Sequence, residues 1–148
     1  DRAGFRVGVQ KAFAIGERGS VAISASVLAG ESLDGPECIG EGLEARAAIG
    51  TSFNVWGREG FVNVEAGQRS RGGCDRSVLE FSSGYEFAPS WTLGLKSWSE
   101  GGAETGSAKA EVMLAYDFDI LSVGVGWREE ISGNFDEKGW VLTASGSF

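Results

Sequence analysis

Hydrophobic and polar residues alternate along almost the whole chain with a period of two. This period is typical of β-strands that present one apolar and one polar face, and no stretch follows the 3.6-residue period of a helix. In the clearest segment, Leu43 and Ile49 fall on one face, and Glu44 and Arg46 on the other. The pattern predicts nine strands, at residues 5–15, 20–29, 43–55, 61–69, 77–87, 91–99, 108–120, 121–128 and 140–148.

The predicted strands are long, and the connections between them alternate in length. Strands of about 9–11 residues cross a bilayer at a tilt near 45°, whereas strands of soluble proteins most often have about 5–6 residues. Short connections fall at residues 16–19, 57–60, 88–90 and 119–121, and long polar ones at 30–42, 70–76, 100–107 and 129–139. Short turns at one end and long loops at the other are typical of membrane-spanning barrels. A soluble sandwich or lipocalin-like barrel is the alternative.

The apolar face is expected to contact lipid. Its members lie opposite charged neighbours, and the central ones are Val62, Val64, Leu79, Phe81, Leu93, Leu95, Val112, Leu114, Val123 and Val125. Aromatic residues fall near both strand ends, where their amphipathic rings would lie at the headgroup level. Those near the short connections are Phe13, Phe53, Phe61, Phe87, Trp91, Phe118 and Phe148, and those near the long loops are Phe5, Trp127 and Trp140.

The opposite face is strongly charged, and a barrel would direct it into the lumen. Its charged members are Arg6, Glu44, Arg46, Glu65, Arg69, Glu80, Glu86, Lys96, Glu100, Lys109, Glu111, Asp117, Asp119, Arg128 and Glu130. Charges removed from bulk water must be paired or hydrated. Two interpretations stay open: a cross-strand ladder of ion pairs that fills a narrow interior, or a hydrated pore with a weak preference for cations.

Composition argues against several functions. The net charge of −8 opposes binding to nucleic acid, which needs an excess of Lys and Arg. The chain has no histidine, the usual general base of hydrolytic triads, so no catalytic residue is predicted. The carboxylate pairs Asp117/Asp119 and Glu129/Glu130 are better explained as solvated charges than as acid–base pairs. The sequence therefore predicts a protein that is not an enzyme.

Neither a metal nor a cofactor is expected. Asp34, Glu37 and Glu41 in the first long loop lack the spacing of an EF-hand and predict a solvated acidic loop. Cys38 and Cys74 fit no metal-binding spacing. Both cysteines lie in long loops at the same end of the sheet, so we predict a disulfide between them, which the oxidising cell envelope permits. Two free thiols are the alternative.

The last nine residues, WVLTASGSF, form an alternating strand that ends on Phe148. This segment resembles the terminal strand of bacterial outer-membrane β-barrels, which their assembly machinery recognises. The resemblance implies that Trp140, Leu142 and Phe148 belong to an assembly signal. It also implies that the protein lies in the outer membrane of a Gram-negative bacterium.

The segment from Glu44 onward resembles the C-terminal part of uncharacterised proteobacterial outer-membrane barrels. The similar features are a GTSF strand, a GREGF turn, a charged hairpin loop and an aromatic APSW turn. The partners that this resemblance implies are outer-membrane lipid, the barrel assembly machinery and other envelope proteins. It brings no activity with it.

The predicted fold is all-β, an antiparallel up-and-down transmembrane β-barrel in one domain covering residues 1–148. With nine strands and a terminal strand that ends at the short-turn side, Asp1 falls on the long-loop side. Bacterial barrels normally have an even strand number, and an open sheet edge cannot face lipid. The chain is therefore expected to be the C-terminal part of a barrel of ten or more strands, or to pack against another element that closes it.

The leading functional expectation is a non-enzymatic outer-membrane barrel, either a passive small-solute channel or a structural surface barrel. One alternative is a scaffold whose extracellular loops bind a partner protein or polysaccharide. Another is a soluble β-barrel that carries an apolar ligand.

Overall fold

The computed structural model contains one sheet of nine antiparallel strands, each hydrogen-bonded to its neighbours along the chain. The structure describes residues 4–30, 41–72, 74–102, 106–133 and 136–146. The strands are β1 (Gly4–Ile15), β2 (Gly19–Gly30), β3 (Gly42–Val55), β4 (Arg58–Arg71), β5 (Arg76–Ala88), β6 (Trp91–Gly102), β7 (Gly106–Asp117), β8 (Leu121–Ser132) and β9 (Lys138–Gly146). The all-β up-and-down architecture and the nine predicted strands are confirmed. Within these ranges, no helix is long and apolar enough to cross a membrane.

The turn between β3 and β4 differs from the prediction. It consists of Trp56 and Gly57, both with positive φ (54° and 76°), and β4 begins at Arg58. Two-residue hairpin turns of the primed kind need positive φ at both central residues, because this geometry matches the twist of the strands. The prediction of a connection over residues 57–60 was therefore wrong. Tryptophan is an uncommon residue in this conformation, and its side chain is 92% exposed.

The end of β7 also differs from the prediction. The strand ends at Asp117, and the predicted extension to Ile120 was wrong. The backbone N–H of Phe118 donates to the carbonyl of Leu121 at 2.7 Å, which closes a tight turn into β8. Asp119 lies in this turn and is exposed, so it does not belong to a strand face.

The strands are staggered in one direction across the whole sheet. A row of directly paired residues starts at Ile15, the last residue of β1. It reaches β9 at Trp140, close to the first residue of that strand. The row is Ile15, Gly19, Thr51, Val62, Ser83, Leu95, Val112, Trp127 and Trp140. A consistent stagger accompanies tilted strands, and closed barrels require it.

The sheet is nevertheless open. Among the described residues, β1 and β9 are joined only to β2 and β8, respectively, and share no hydrogen bonds with each other. The nine strands are therefore not closed into a barrel, and closure by further strands or by another element stays a prediction. The physical reason is the direction in which the two edge strands run. In an up-and-down sheet the first and ninth strands run the same way, so these two edges cannot form an antiparallel ladder.

Across β3–β8 the sheet exposes its apolar face and shields most of its polar one. In β3, Leu43 is 67% exposed whereas the adjacent Glu44 is 2% exposed. The only buried hydrophobic side chains within the described ranges, Leu28 and Val78, lie on the polar face. A soluble domain shows the opposite order, with apolar side chains inside. This distribution is expected of a sheet that curls around its polar face.

The residues predicted to face lipid all lie on the apolar face. Nine of the ten are exposed, with Leu114 at 36%, and Val62 is half-buried. Leu114 therefore does not belong to an interior core. Contact of these side chains with lipid stays a prediction.

Candidate functional site

The polar face divides into two walls. We call the polar face of β3–β8 the charged wall, because most of its long side chains are ionised. We call the polar face of β1 and β2 the small-residue wall, and its described members from residue 8 to residue 26 are Gly8, Gln10, Ala12, Ala14, Ser20, Ala22, Ser24 and Ser26. The candidate functional site is the charged wall and the space that it shares with the small-residue wall.

Arg46 lies at the centre of one ion-pair cluster in the charged wall. Its Nε is 2.6 Å from Glu44 Oε1, and its Nη1 is 2.7 Å from Glu65 Oε1. The same Nη1 is 3.6 Å from Glu80 Oε2. Glu65 and Glu80 stand directly opposite each other in the β4–β5 register, an unfavourable arrangement for like charges. Arg46 compensates this repulsion by lying close to both carboxylates.

Arg69 links the first cluster to a second one nearer the long loops. Its Nε is 2.7 Å from Glu44 Oε2, and its Nη1 is 3.1 Å from Glu100 Oε2. Arg69 also stands directly opposite Arg76, whose Nη1 is 4.0 Å from that same oxygen of Glu100. The Glu44 side chain is 0% exposed. This carboxylate is held by Arg46 and Arg69, as a buried charge requires.

The charged wall continues across β6, β7 and β8. Glu111 and Arg128 are opposite each other and share hydrogen bonds of 3.0 and 2.8 Å. The Arg128 guanidinium lies 4.6 Å from the ring centre of Trp98, and the Lys96 ammonium lies 5.6 Å from it. Lys96 also pairs with Glu80 at 2.8 Å. Cation–π contacts and ion pairs therefore connect the cations of β6 and β8 with the carboxylate cluster near Arg46.

The short-turn end of the polar face is more open. Glu86 belongs to this face, and its Oε1 lies 3.3 Å from Nη1 of Arg58, which the β3–β4 register places on the face of Val62. Both side chains are about one third exposed. The Thr92 hydroxyl donates to Asp117 at 3.4 Å. An open cavity of about 640 Å³ lies here. The side chains of the Arg58–Glu86 pair are more exposed than those of the pairs around Arg46.

Phe61 also borders this cavity, which contradicts its predicted place in an outer aromatic belt. It stands directly opposite Gly84 on the polar face, and a side chain at Gly84 would overlap its ring. The alternation around Phe61 is ambiguous because the turn precedes it so closely. The outer face at this end instead carries an edge-to-face chain, with ring centres 5.0 Å apart for Trp91 and Tyr116 and 4.8 Å apart for Tyr116 and Phe118.

Most residues predicted for the lumen occupy the polar face and form ion pairs or hydrogen bonds. Lys109 pairs with Glu137, which falls in the predicted long loop at residues 129–139. Arg6 lies in β1, but its side chain is outside the described part of the structure. The predicted residues that the structure brings together are Glu44, Arg46, Glu65, Arg69, Glu80, Glu86, Lys96, Glu100, Lys109, Glu111, Asp117 and Arg128.

The predicted disulfide falls partly outside the described residues, since these do not include Cys38. Cys74 lies between β4 and β5, is half-buried, and its backbone N–H donates to the carbonyl of Arg71 at 2.7 Å. The pairing of the two cysteines stays a prediction.

The predicted assembly signal is described in part, because Phe148 lies outside the described residues. Trp140 and Leu142 lie on the apolar face of β9 and are 75% and 81% exposed. Trp140 packs edge-to-face on Trp127, with ring centres 5.4 Å apart. Recognition of these residues by an assembly machinery stays a prediction.

Sequence reasoning missed several members of the charged wall near the long loops. Arg71 and Arg76 are each 6% exposed, and Trp98 stacks against two cations. The period-two pattern continues through Arg71 and Arg76 beyond the predicted strand ends, and it places Trp98 on the polar face of the predicted strand 91–99. The predicted ends were placed where apolar residues stop, although the polar face continues.

Within the described ranges, no group of three or more His, Cys, Asp or Glu side chains is arranged to hold a metal ion. Comparison of the chain with models of protein families, with curated proteins and with solved structures found no match.

Proposed function

We propose that the protein is a non-enzymatic β-barrel of the outer membrane of a Gram-negative bacterium, acting as a passive small-solute channel or a structural surface barrel. The observation that carries the proposal is the inverted order of the two faces. Exposed aliphatic side chains cover one face of the sheet, and charged side chains on the other face are shielded. In water this arrangement would expose far more apolar surface than monomeric soluble proteins tolerate.

The aromatic residues support a bilayer as the surroundings of the apolar face. Trp91 and Phe118 are exposed at the short-turn end, and Trp127 and Trp140 are exposed near the long loops. Aliphatic residues such as Leu95 lie between them. Tryptophan and tyrosine favour the two interfaces of a membrane, and aliphatic side chains favour its hydrocarbon core.

The open edges require a closing element. Lipid cannot satisfy the backbone groups of β1 and β9, so we propose that an odd number of further strands joins these edges into a barrel of ten or more strands. An odd number follows because β1 and β9 run in the same direction. The consistent stagger of the nine strands supports this closure, because barrel strands must be tilted and staggered.

Whether side chains fill the interior or leave a water-filled path distinguishes a structural barrel from a channel. The ion pairs around Arg46 and Arg69 favour a ladder that fills part of the lumen. The cavities beside this ladder leave room for water and support a channel. The charged wall disfavours a soluble carrier of apolar ligands, whose interior would be lined by hydrophobic side chains.

Fluorescence quenching by brominated lipids tests the proposal. Single-tryptophan variants of the full-length protein would keep either Trp127, on the apolar face, or Trp98, on the charged wall, and would be refolded into phosphatidylethanolamine–phosphatidylglycerol vesicles. We expect strong quenching of Trp127 and little quenching of Trp98. Protein that stays in solution without lipid or detergent, with neither residue quenched, would refute the membrane assignment. Planar-bilayer conductance of the inserted protein separates the channel from the structural barrel.

A further inference from the structure

We propose that Arg46 sets the ion selectivity of the interior, because its charge offsets part of the negative charge of a cluster of three carboxylates in the wall of the lumen. The carboxylates are those of Glu44, Glu65 and Glu80. The inference rests on the proposed function, since it requires that the sheet close around a hydrated interior. It goes further by naming the residue that fixes the preference between cations and anions.

Arg46 is difficult to replace by another cation in the cluster. The Arg46 side chain is 9% exposed, so water competes little with Arg46 for its carboxylate partners. Within the described residues, Arg46 is the only ion-pair partner of Glu65. Glu44 and Glu80 have further cationic partners in Arg69 and Lys96. Loss of the Arg46 charge would therefore leave Glu65 uncompensated beside the opposed Glu80.

The cluster borders open space. A cavity of about 310 Å³ is lined by Glu44, Arg46 and Glu65 on one side and by residues of the small-residue wall on the other, including Ser24 and Ser26. The small-residue wall carries no charge between residues 8 and 26. An ion in this space therefore experiences the charge of the cluster, and the adjoining β2 residues Ser24 and Ser26, which pair with Arg46 and Glu44 in the β2–β3 register, add no charge of their own.

Gly67 explains how Arg46 reaches three carboxylates without crossing the lumen. Gly67 stands directly opposite Arg46 in the β3–β4 register, and a Cβ at this position would lie 2.6 Å from Arg46 Cγ. The absence of a side chain lets the stem of Arg46 lie flat against the sheet. Arg46 then acts through its charge, not as a steric plug.

Selectivity measurements test the inference. The full-length protein, wild type and Arg46→Gln, would be placed in planar bilayers under a KCl gradient near 0.01 M, where the Debye length is roughly 30 Å. The reversal potential gives the ratio of cation to anion permeability. A unit charge about 7 Å from an ion in water changes that ion's local concentration about threefold. We expect the ratio to rise at least threefold in Arg46→Gln, and to return toward wild type in Arg46→Gln/Glu65→Gln.

Two further variants keep the inference testable if Arg46→Gln does not fold, and control for the loss of a positive charge elsewhere. Glu65→Gln leaves Arg46 with Glu44 and Glu80, and should lower the ratio at least threefold even if Arg46→Gln fails to fold. Arg58→Gln removes the same charge from the exposed pair with Glu86 and should change the ratio much less.

The outcomes separate the two proposals. A wild-type protein that does not insert into vesicles refutes the proposed function. An inserted wild type without conductance refutes this inference and leaves the structural barrel. A conducting wild type whose selectivity is unchanged by both Arg46→Gln and Glu65→Gln, or is changed equally by Arg58→Gln, refutes the role of Arg46 alone.

Discussion

The two walls of the polar face differ in the size and charge of their side chains, and therefore in the contacts that they require. The small-residue wall of β1 and β2 carries glycine, alanine and serine, and requires few compensating contacts. The charged wall of β3–β8 carries long ionised side chains, and those shielded from bulk water, such as Glu44 and Arg46, must be paired. In the barrel that we propose, one wall supplies the bulk and the other supplies the room for it. The difference teaches that one polar face of a sheet can combine a densely charged region with a region of small side chains.

The largest effect is expected when the most buried charge of the charged wall is removed. Glu44→Gln removes the carboxylate that both Arg46 and Arg69 contact, and should lower the free energy of unfolding by about 3 kcal/mol. The matched change in the small-residue wall, Ser24→Ala, should cost less than about 0.5 kcal/mol. Urea titrations of the protein in lipid vesicles would measure both. Equal costs would show that the walls do not differ energetically.

A second prediction extends the comparison to the two faces of one strand. Leu114→Arg places a charge on the apolar face of β7 and should destabilise the inserted barrel by about 2–4 kcal/mol if the residue lies near the midplane. Ala115→Arg, one residue further on the polar face, should cost less. Denaturant titration from vesicles provides the measurement, and a larger cost for Ala115→Arg would reverse our assignment of the faces.

A disulfide would connect the two walls at the long-loop end, since residues 31–40 join β2 to β3. Replacing Cys38 and Cys74 by serine should cost about 2 kcal/mol, the low end of the range for disulfides, because the β3–β4 hairpin already restricts the closed loop. Thiol labelling with and without reductant tests the bond directly. Equal labelling in the two conditions would establish free thiols.

The smallest effect on the finished fold is expected at the chain end. Deleting Phe148 should leave the stability of folded barrels almost unchanged, yet lower their amount in cells with limiting assembly machinery, since the terminal strand is recognised by strand addition before its edge is paired. Leu142→Ala should likewise matter more than Val141→Ala, its neighbour on the polar face. Quantitative blotting of outer membranes measures the amount, and equal levels in all three variants would contradict the signal.

The strands and the charged wall could be predicted from the sequence, because each depends on a period of two within a single segment. Glu44 and Arg46 are assigned to one face by their spacing alone, and the structure confirms it. The contact of Arg46 with Glu80 could not be predicted, since it depends on the register of three strands. The turn at Trp56 could not be predicted, because a bulky residue rarely adopts the positive φ found there.

Every strand of the sheet pairs only with its chain neighbours, and this fact has a kinetic consequence. Each hairpin closes a short stretch of chain, so the eight ladders can form one after another at a low cost in loop entropy. Joining β1 to β9 through a closing element is the one step that brings distant segments together. We expect that seam to set the rate of folding, and a mutation beside it to slow closure more than the same mutation in β5.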